Sequence, residues 1–216
     1  GEGLSVCAFD SFAAFAAWLI VSSVAYAMVL AAKMTLEMLV SQSELHFTSC
    51  RDVTAAMVAF CVAEHPDQSA EVLQVISRFQ AHAEATLGLN YNEALQVCET
   101  LGLKGGDKDQ DSLKRIATEI RRKLEISCVV VHPVDSAACA TKDGAWWSEG
   151  PFTENPKITT GAGDHFNAGF CSARLCGFSP LTSLALATCT SGHYVRTTQS
   201  PSTNQVIALL KEAEIS

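Results

Sequence analysis

A chain of 216 residues, 48% of them hydrophobic, can bury the core of one ordinary globular domain, which excludes disorder for most of its length. Lys and Arg number 15 against 23 Asp and Glu, and the resulting net charge of −8 excludes a surface built broadly for nucleic acid. Nine cysteines, an odd number with no C-x-x-C pair, point to reduced and mostly buried thiols in a cytoplasmic protein, not to a disulfide framework or a zinc site.

In chain order, the first feature is residues 11–32, a run without charge in which only Ser11, Ser22 and Ser23 are not apolar. It accounts for much of the positive mean hydropathy of +0.18. Twenty-two residues are enough to cross a bilayer. Eight of them are Ala, however, and Glu2 and Asp10 precede the run where an anchor or a leader would carry Lys or Arg, so a soluble apolar helix is the reading favoured over a membrane span. Residues 34–50 read as a weakly amphipathic helix. Residues 57–62 then have the length and composition of a strand, ended by the turn at Pro66.

Ser69 is placed to cap a helix whose apolar positions Val72, Leu73, Val75, Ile76 and Phe79 share one side. Residues 85–89 form a second short strand, and Asn90 stands as the cap of a helix over 91–101. A polar turn over 104–109 leads to a helix over 112–124 with a basic edge expected to meet water. Residues 128–132, Cys-Val-Val-Val-His, are continuous and β-branched, as in a strand buried on both faces of a parallel sheet. A hairpin over 137–147 turns at Lys142, Asp143 and Gly144. Helices over 164–176, 181–197 and 204–213 complete the chain. Alternating strands and helices imply an α/β layered fold, with a mostly parallel central sheet flanked by helices.

One segment carries chemistry: Thr159-Thr160-Gly161-Ala162-Gly163-Asp164-His165-Phe166-Asn167-Ala168-Gly169-Phe170. Two glycines around an alanine allow a tight turn whose N–H groups open outward where a helix starts, a ready anion site. Asp164 in the first turn would repel such an anion. Either it accepts a proton from an attacking hydroxyl during phosphoryl transfer, or it merely caps the helix; spacing leaves both open.

This segment resembles the C-terminal signature of the PfkB (ribokinase-like) carbohydrate kinase family, D-T-T-G-A-G-D-x-F-x-A-G-F, departing from it at Ile158. Gly88-Leu89-Asn90-Tyr91-Asn92-Glu93 is similar to the family's strand followed by N-x-x-E, and residues 128–132 with Asp143-Gly144-Ala145 resemble the strand and hairpin beside the nucleotide, with Pro133 where the family has Gly. The resemblance implies a ribokinase-like fold and ATP-dependent phosphoryl transfer to a sugar or nucleoside-like hydroxyl. It makes Asp164 the general base and Gly161, Ala162 and Gly163, with the Asp164 amide, the anion hole. Asn90 and Glu93 would order phosphates and Mg²⁺, Glu93 indirectly as a metal partner; their bland alternative is a helix cap and an exposed acid. Thr160, Gly163 and Asn167 would contact the nucleotide, and 191–202 would line the adenine pocket. A small-molecule substrate, with a homodimer as a possible assembly, follows from the same resemblance, while the charge balance and the flanks of residues 11–32 speak against nucleic acid and membrane as partners.

The resemblance covers about residues 57–216. Residues 1–56, with the apolar helix expected over 11–32, are left unassigned. The family's Gly-Gly-x-x-x-Asn substrate signature has no counterpart in residues 1–33. The chain therefore reads either as a truncated sugar kinase, its N-terminal part missing, or as a catalytically silent nucleotide-binding or interaction module in which helices have replaced the lost strands.

Overall fold

The computed structural model describes residues 18–20, 55–59, 69–81 and 84–213. Six strands form one sheet in the order β1 (Trp18–Ile20), β2 (Ala55–Ala59), β3 (Glu84–Asn90), β4 (Cys128–His132), β5 (Ser136–Thr141) and β6 (Gly144–Glu149). The first four strands pair parallel, and β4–β5 and β5–β6 pair antiparallel. The helices are α1 (Ser69–Phe79), α2 (Tyr91–Leu101), α3 (Gln110–Leu124), α4 (Ala162–Leu175), α5 (Pro180–Thr197) and α6 (Thr203–Glu212).

Strand β4 shows how the layers arise. Successive side chains point to opposite faces of a sheet. Val129 and Val131 join a core with Leu73 and Ile76 of α1, Val97 of α2 and Ile116 and Ile120 of α3. Cys128 and Val130 join a second core with Phe166 and Phe170 of α4 and Leu184 of α5. Each fully buried aliphatic side chain contributes about 1.5–3 kcal/mol relative to exposure, so a continuous apolar strand is stable only with both faces covered. The result is the expected mostly parallel sheet between two helical layers. Helix α6 packs on α5.

The basic edge of α3 is partly consumed by the fold. Arg115 donates to the carbonyls of Lys104 and Gly105 and pairs with Glu119, and Arg121 donates to the Ile126 carbonyl. The helix begins at Gln110, earlier than its first apolar position indicates, because the Asp109 carboxylate accepts from the amides of Asp111 and Ser112. Hydrogen bonding with Ser112 holds that carboxyl below its ordinary range.

Two expectations shift. Strand β2 begins two residues before the expected 57–62, since its span is set by register with β3, Ala55 opposite Glu84 and Ala59 opposite Gly88; residues 60–62 lie outside the described residues. Within the run 11–32, Trp18–Ile20 is a strand and not helix: it pairs parallel to Met57, Val58 and Ala59, and the sheet edge supplies backbone partners that apolarity alone does not reveal. The remainder of that run and the helix expected over 34–50 lie outside the described residues. No helix among the described residues is long and apolar enough to cross a membrane. Six cysteines are described, all free; Cys176 is exposed and the other five are buried. Burial pushes the Cys171 thiol up to about 12 and the Cys189 thiol up to about 11, so neither supplies a thiolate near neutral pH.

Candidate active site

The turn before α4 is built by glycine. Gly161 is the N-cap residue in the left-handed region, φ 84°, with no side-chain capping bond. A Cβ at this position would be strained by the backbone and would meet the Tyr194 hydroxyl at 3.2 Å. The helix then starts at Ala162, which puts Asp164 in the third helical position, where it is not the cap. Its half-buried carboxylate makes no hydrogen bond or ion pair with any described residue.

Of the first amides of α4, that of Ala162 donates to the Thr159 carbonyl at 3.1 Å. The amides of Gly163 and Asp164 have no acceptor among the described residues. Two open donors at the positive end of a 14-residue helix therefore flank an unpaired carboxylate.

These groups border a cavity of about 600 Å³ above the ends of β3 and β4, shared with Asn90, Glu93, His132 and Asn167. A crevice at the carboxyl ends of parallel strands is where open α/β sheets bind ligands. Asn90 and Glu93 form a reciprocal capping box: the Glu93 amide donates to Asn90 Oδ1 at 2.9 Å and the Asn90 amide to Glu93 Oε2 at 2.8 Å. Asn90 is thus the helix cap, Glu93 is half-buried and closes the box where an exposed acid was the alternative, and both line the cavity. Asn167 is 5% exposed and its Oδ1 has no hydrogen-bond partner among the described residues. Thr160 does not line the cavity; Thr159 does, while the Thr160 carbonyl accepts the Tyr194 hydroxyl at 3.2 Å. From the stretch 191–202, Ser191, Gly192 and Val195 reach it.

Three contributors escaped the sequence reading. His132 ends β4 and stacks on Phe166 with ring centroids 4.4 Å apart. Burial drives its pKa down to about 4, so the ring is neutral at neutral pH. Phe152 and Val134 stand exposed at the cavity. His132 closes the β-branched strand and was legible as strand, while Phe152 sits in a loop that gave no signal.

The matching family model is that of prokaryotic ketohexokinase, over residues 61–213. The chain belongs to the prokaryotic ketohexokinase family. The ketohexokinase of Haloferax volcanii is 25% identical over 143 residues, covering 66% of this chain and 37% of that protein. A phosphofructokinase-2 variant from Escherichia coli superimposes with TM-score 0.59 at 12% identity, covering 85% of this chain and 62% of its own. The archaeal nucleoside kinase of Methanocaldococcus jannaschii, a member of the ribokinase family, gives 0.56 at 19%, covering 84% and 53%. The likenesses of structure establish a ribokinase-like fold. This member of the ketohexokinase family spans just over a third of the length of its curated relative.

The cavity of this ketohexokinase-family chain suits a nucleotide with Mg²⁺. No cluster of three or more His, Cys, Asp or Glu able to hold a metal occurs among the described residues. Two carboxylates, Asp164 and Glu93, border the cavity with the Asn90 amide. Mg²⁺ keeps several waters and is commonly held by one or two carboxylates together with substrate phosphates, and these two carboxylates are the part of that set the protein would supply.

Proposed function

We propose that this chain transfers the terminal phosphoryl group of ATP to a hydroxyl of a sugar or nucleoside-like substrate, a ketohexose being the first candidate from the name of its relatives. The observation that carries the reading is the unpaired Asp164 carboxylate beside the open amides of Gly163 and Asp164. In this reading the Asp164 carboxylate takes the proton of the acceptor hydroxyl as its oxygen bonds to phosphorus. The bond from that phosphorus to the bridging oxygen of ADP breaks in the same displacement. The two amides hold the charge gathered on the transferring group, and preorganised donors of this kind supply a few kcal/mol each. Glu93 and Asn90 would hold Mg²⁺ through water and phosphate, and the ion would neutralise phosphate charge. Asn167 Oδ1 offers a buried acceptor to a hydroxyl or amine of the nucleotide.

The test is turnover with Mg²⁺, ATP and a panel led by fructose. Asp164→Asn should lower kcat by at least about a hundredfold with little change in ATP affinity, the range general base catalysis supplies. Equal turnover in that variant would remove the base. A second reading is a catalytically silent nucleotide-binding module. It predicts ATP binding without product. The free cysteines support a reducing compartment, the cytoplasm.

A further inference from the structure

Three consecutive carbonyls where the turn enters α4, those of Thr160, Gly161 and Ala162, each receive a side-chain donor, two of them from α5 and one from His165 of α4 itself. The Tyr194 hydroxyl donates to Thr160 O at 3.2 Å, His165 Nδ1 to Gly161 O at 2.8 Å and Ser191 Oγ to Ala162 O at 3.0 Å. The His165 ring also stacks on Tyr194, centroids 3.7 Å apart at 11°, and its Nε2 accepts from Ser200 Oγ at 2.9 Å. Because a carbonyl oxygen only accepts, Nδ1 carries the ring proton in the neutral imidazole and Nε2 is left to take the Ser200 hydroxyl.

We infer that Tyr194, His165 and Ser191 are positioning residues, a clamp that fixes the peptide planes of the turn and so aims the open Gly163 amide of the anion site. In a trans peptide the carbonyl of one residue and the N–H of the next point in opposite directions within a rigid plane. Ser191, by holding Ala162 O, thereby sets the direction of the open Gly163 N–H. His165, by holding Gly161 O, sets the Ala162 N–H that closes onto Thr159 O. External ties are needed here since glycine is the softest backbone and Gly161 has no side chain to cap the helix. Preorganisation matters because donors that must reorient on binding lose much of their effect. As regards anion binding, the inference rests on the proposed phosphoryl transfer; as regards conformation, it stands alone.

The experiment combines amide hydrogen exchange by NMR on the full chain with calorimetric titration of Mg–ADP. The variants are Ser191→Ala, Tyr194→Phe and His165→Phe, the last keeping an aromatic ring against Tyr194. Each should accelerate exchange of the Ala162 and His165 amides about tenfold, as expected for loss of one hydrogen bond, while β3 and β4 keep their protection. Mg–ADP affinity should fall about tenfold, and Ser191→Thr, which returns a hydroxyl, should recover most of both losses. Exchange at these amides within twofold of the parent in all three variants overturns the clamp, as does acceleration spread equally over β3 and β4. If the parent chain fails to bind Mg–ADP, the phosphoryl-transfer reading falls, and the exchange data alone decide the clamp. Should Ser191→Ala not fold, Tyr194→Phe, which removes a single exposed hydroxyl bond, decides the same question.

Discussion

His132 shows how one residue couples site and stability. Its ring lies between the Phe166 face and the Gly163 backbone, whose added Cβ would contact Cε1 at 3.5 Å. With a folded pKa of about 4 against 6.5 in the unfolded chain, the unfolded state binds the proton first as pH falls. Stability is therefore unaffected above about pH 6.5, declines between there and about pH 4, and changes no further from this group below that. Between pH 7 and pH 5 the decline from this ring is at most about 2 kcal/mol, the upper limit because solvent reaches part of it. Urea midpoints at the two pH values should draw closer in His132→Phe than in the parent; identical differences would clear His132 of the effect. Asp164 illustrates the complementary case, a carboxylate in the third helical position that makes no hydrogen bond or ion pair with any described residue. The motif announced Asp164 and the glycines. The neutral state of His132 could not be read, because burial belongs to the packed layers and not to the strand's own sequence.

At the scale of elements, the two decisive features are a cap and a helix crossing. The capping box at α2 makes Asn90 part of the helix start as well as the cavity wall. Asn90→Ala should cost about 1 kcal/mol in thermal or urea unfolding, while Asn90→Ser keeps a cap acceptor and should leave stability within a few tenths. If Asn90 also orders phosphates, Asn90→Ser weakens Mg–ADP binding; unchanged affinity would confine it to capping. Gly169, from the same motif as Asp164, lies where α4 meets α5: a Cβ there would come 2.6 Å from Thr190 Oγ1 and 2.9 Å from Ala187 Cα. Ala normally gains about 1 kcal/mol over Gly inside a helix. Here the neighbouring backbone cannot move aside, so overpacking wins and Gly169→Ala should lose about 1–3 kcal/mol net, seen as a lower melting temperature. A melting point at or above that of the parent would show that the helices can part. Helix α2 and strand β4 were legible to the residue because cap, periodicity and β-branching agreed locally. The start of α3 was missed by two residues because no apolar residue precedes Leu113 in it, and only the bonds that the Asp111 and Ser112 amides donate to the Asp109 carboxylate fix the earlier start.

For the molecule as a whole, a nucleotide that binds only the folded chain must stabilise it. At a hundredfold excess over its Kd, Mg–ADP should add about 2.7 kcal/mol and raise the melting temperature by several degrees, with less effect in Ser191→Ala. No shift at any concentration would count against both functional readings together. Composition, the strand and helix periodicities and the twelve residues from Thr159 to Phe170 by themselves determined the layered α/β fold, its parallel centre, the family and the position of Asp164. Local signals suffice for these, since capping, alternation and glycine turns act over a few residues. The tertiary structure alone decided which amides stay open and what holds them. Ser191 is 29 residues from Ala162, Tyr194 is 34 from Thr160, and Ser200 is 35 from His165. Contacts that distant arise only when α4 and α5 pack side by side. Sheet register likewise drew Trp18–Ile20 out of an apolar run that reads as helix, because backbone partners are supplied by the neighbouring strand and leave no mark in the run itself.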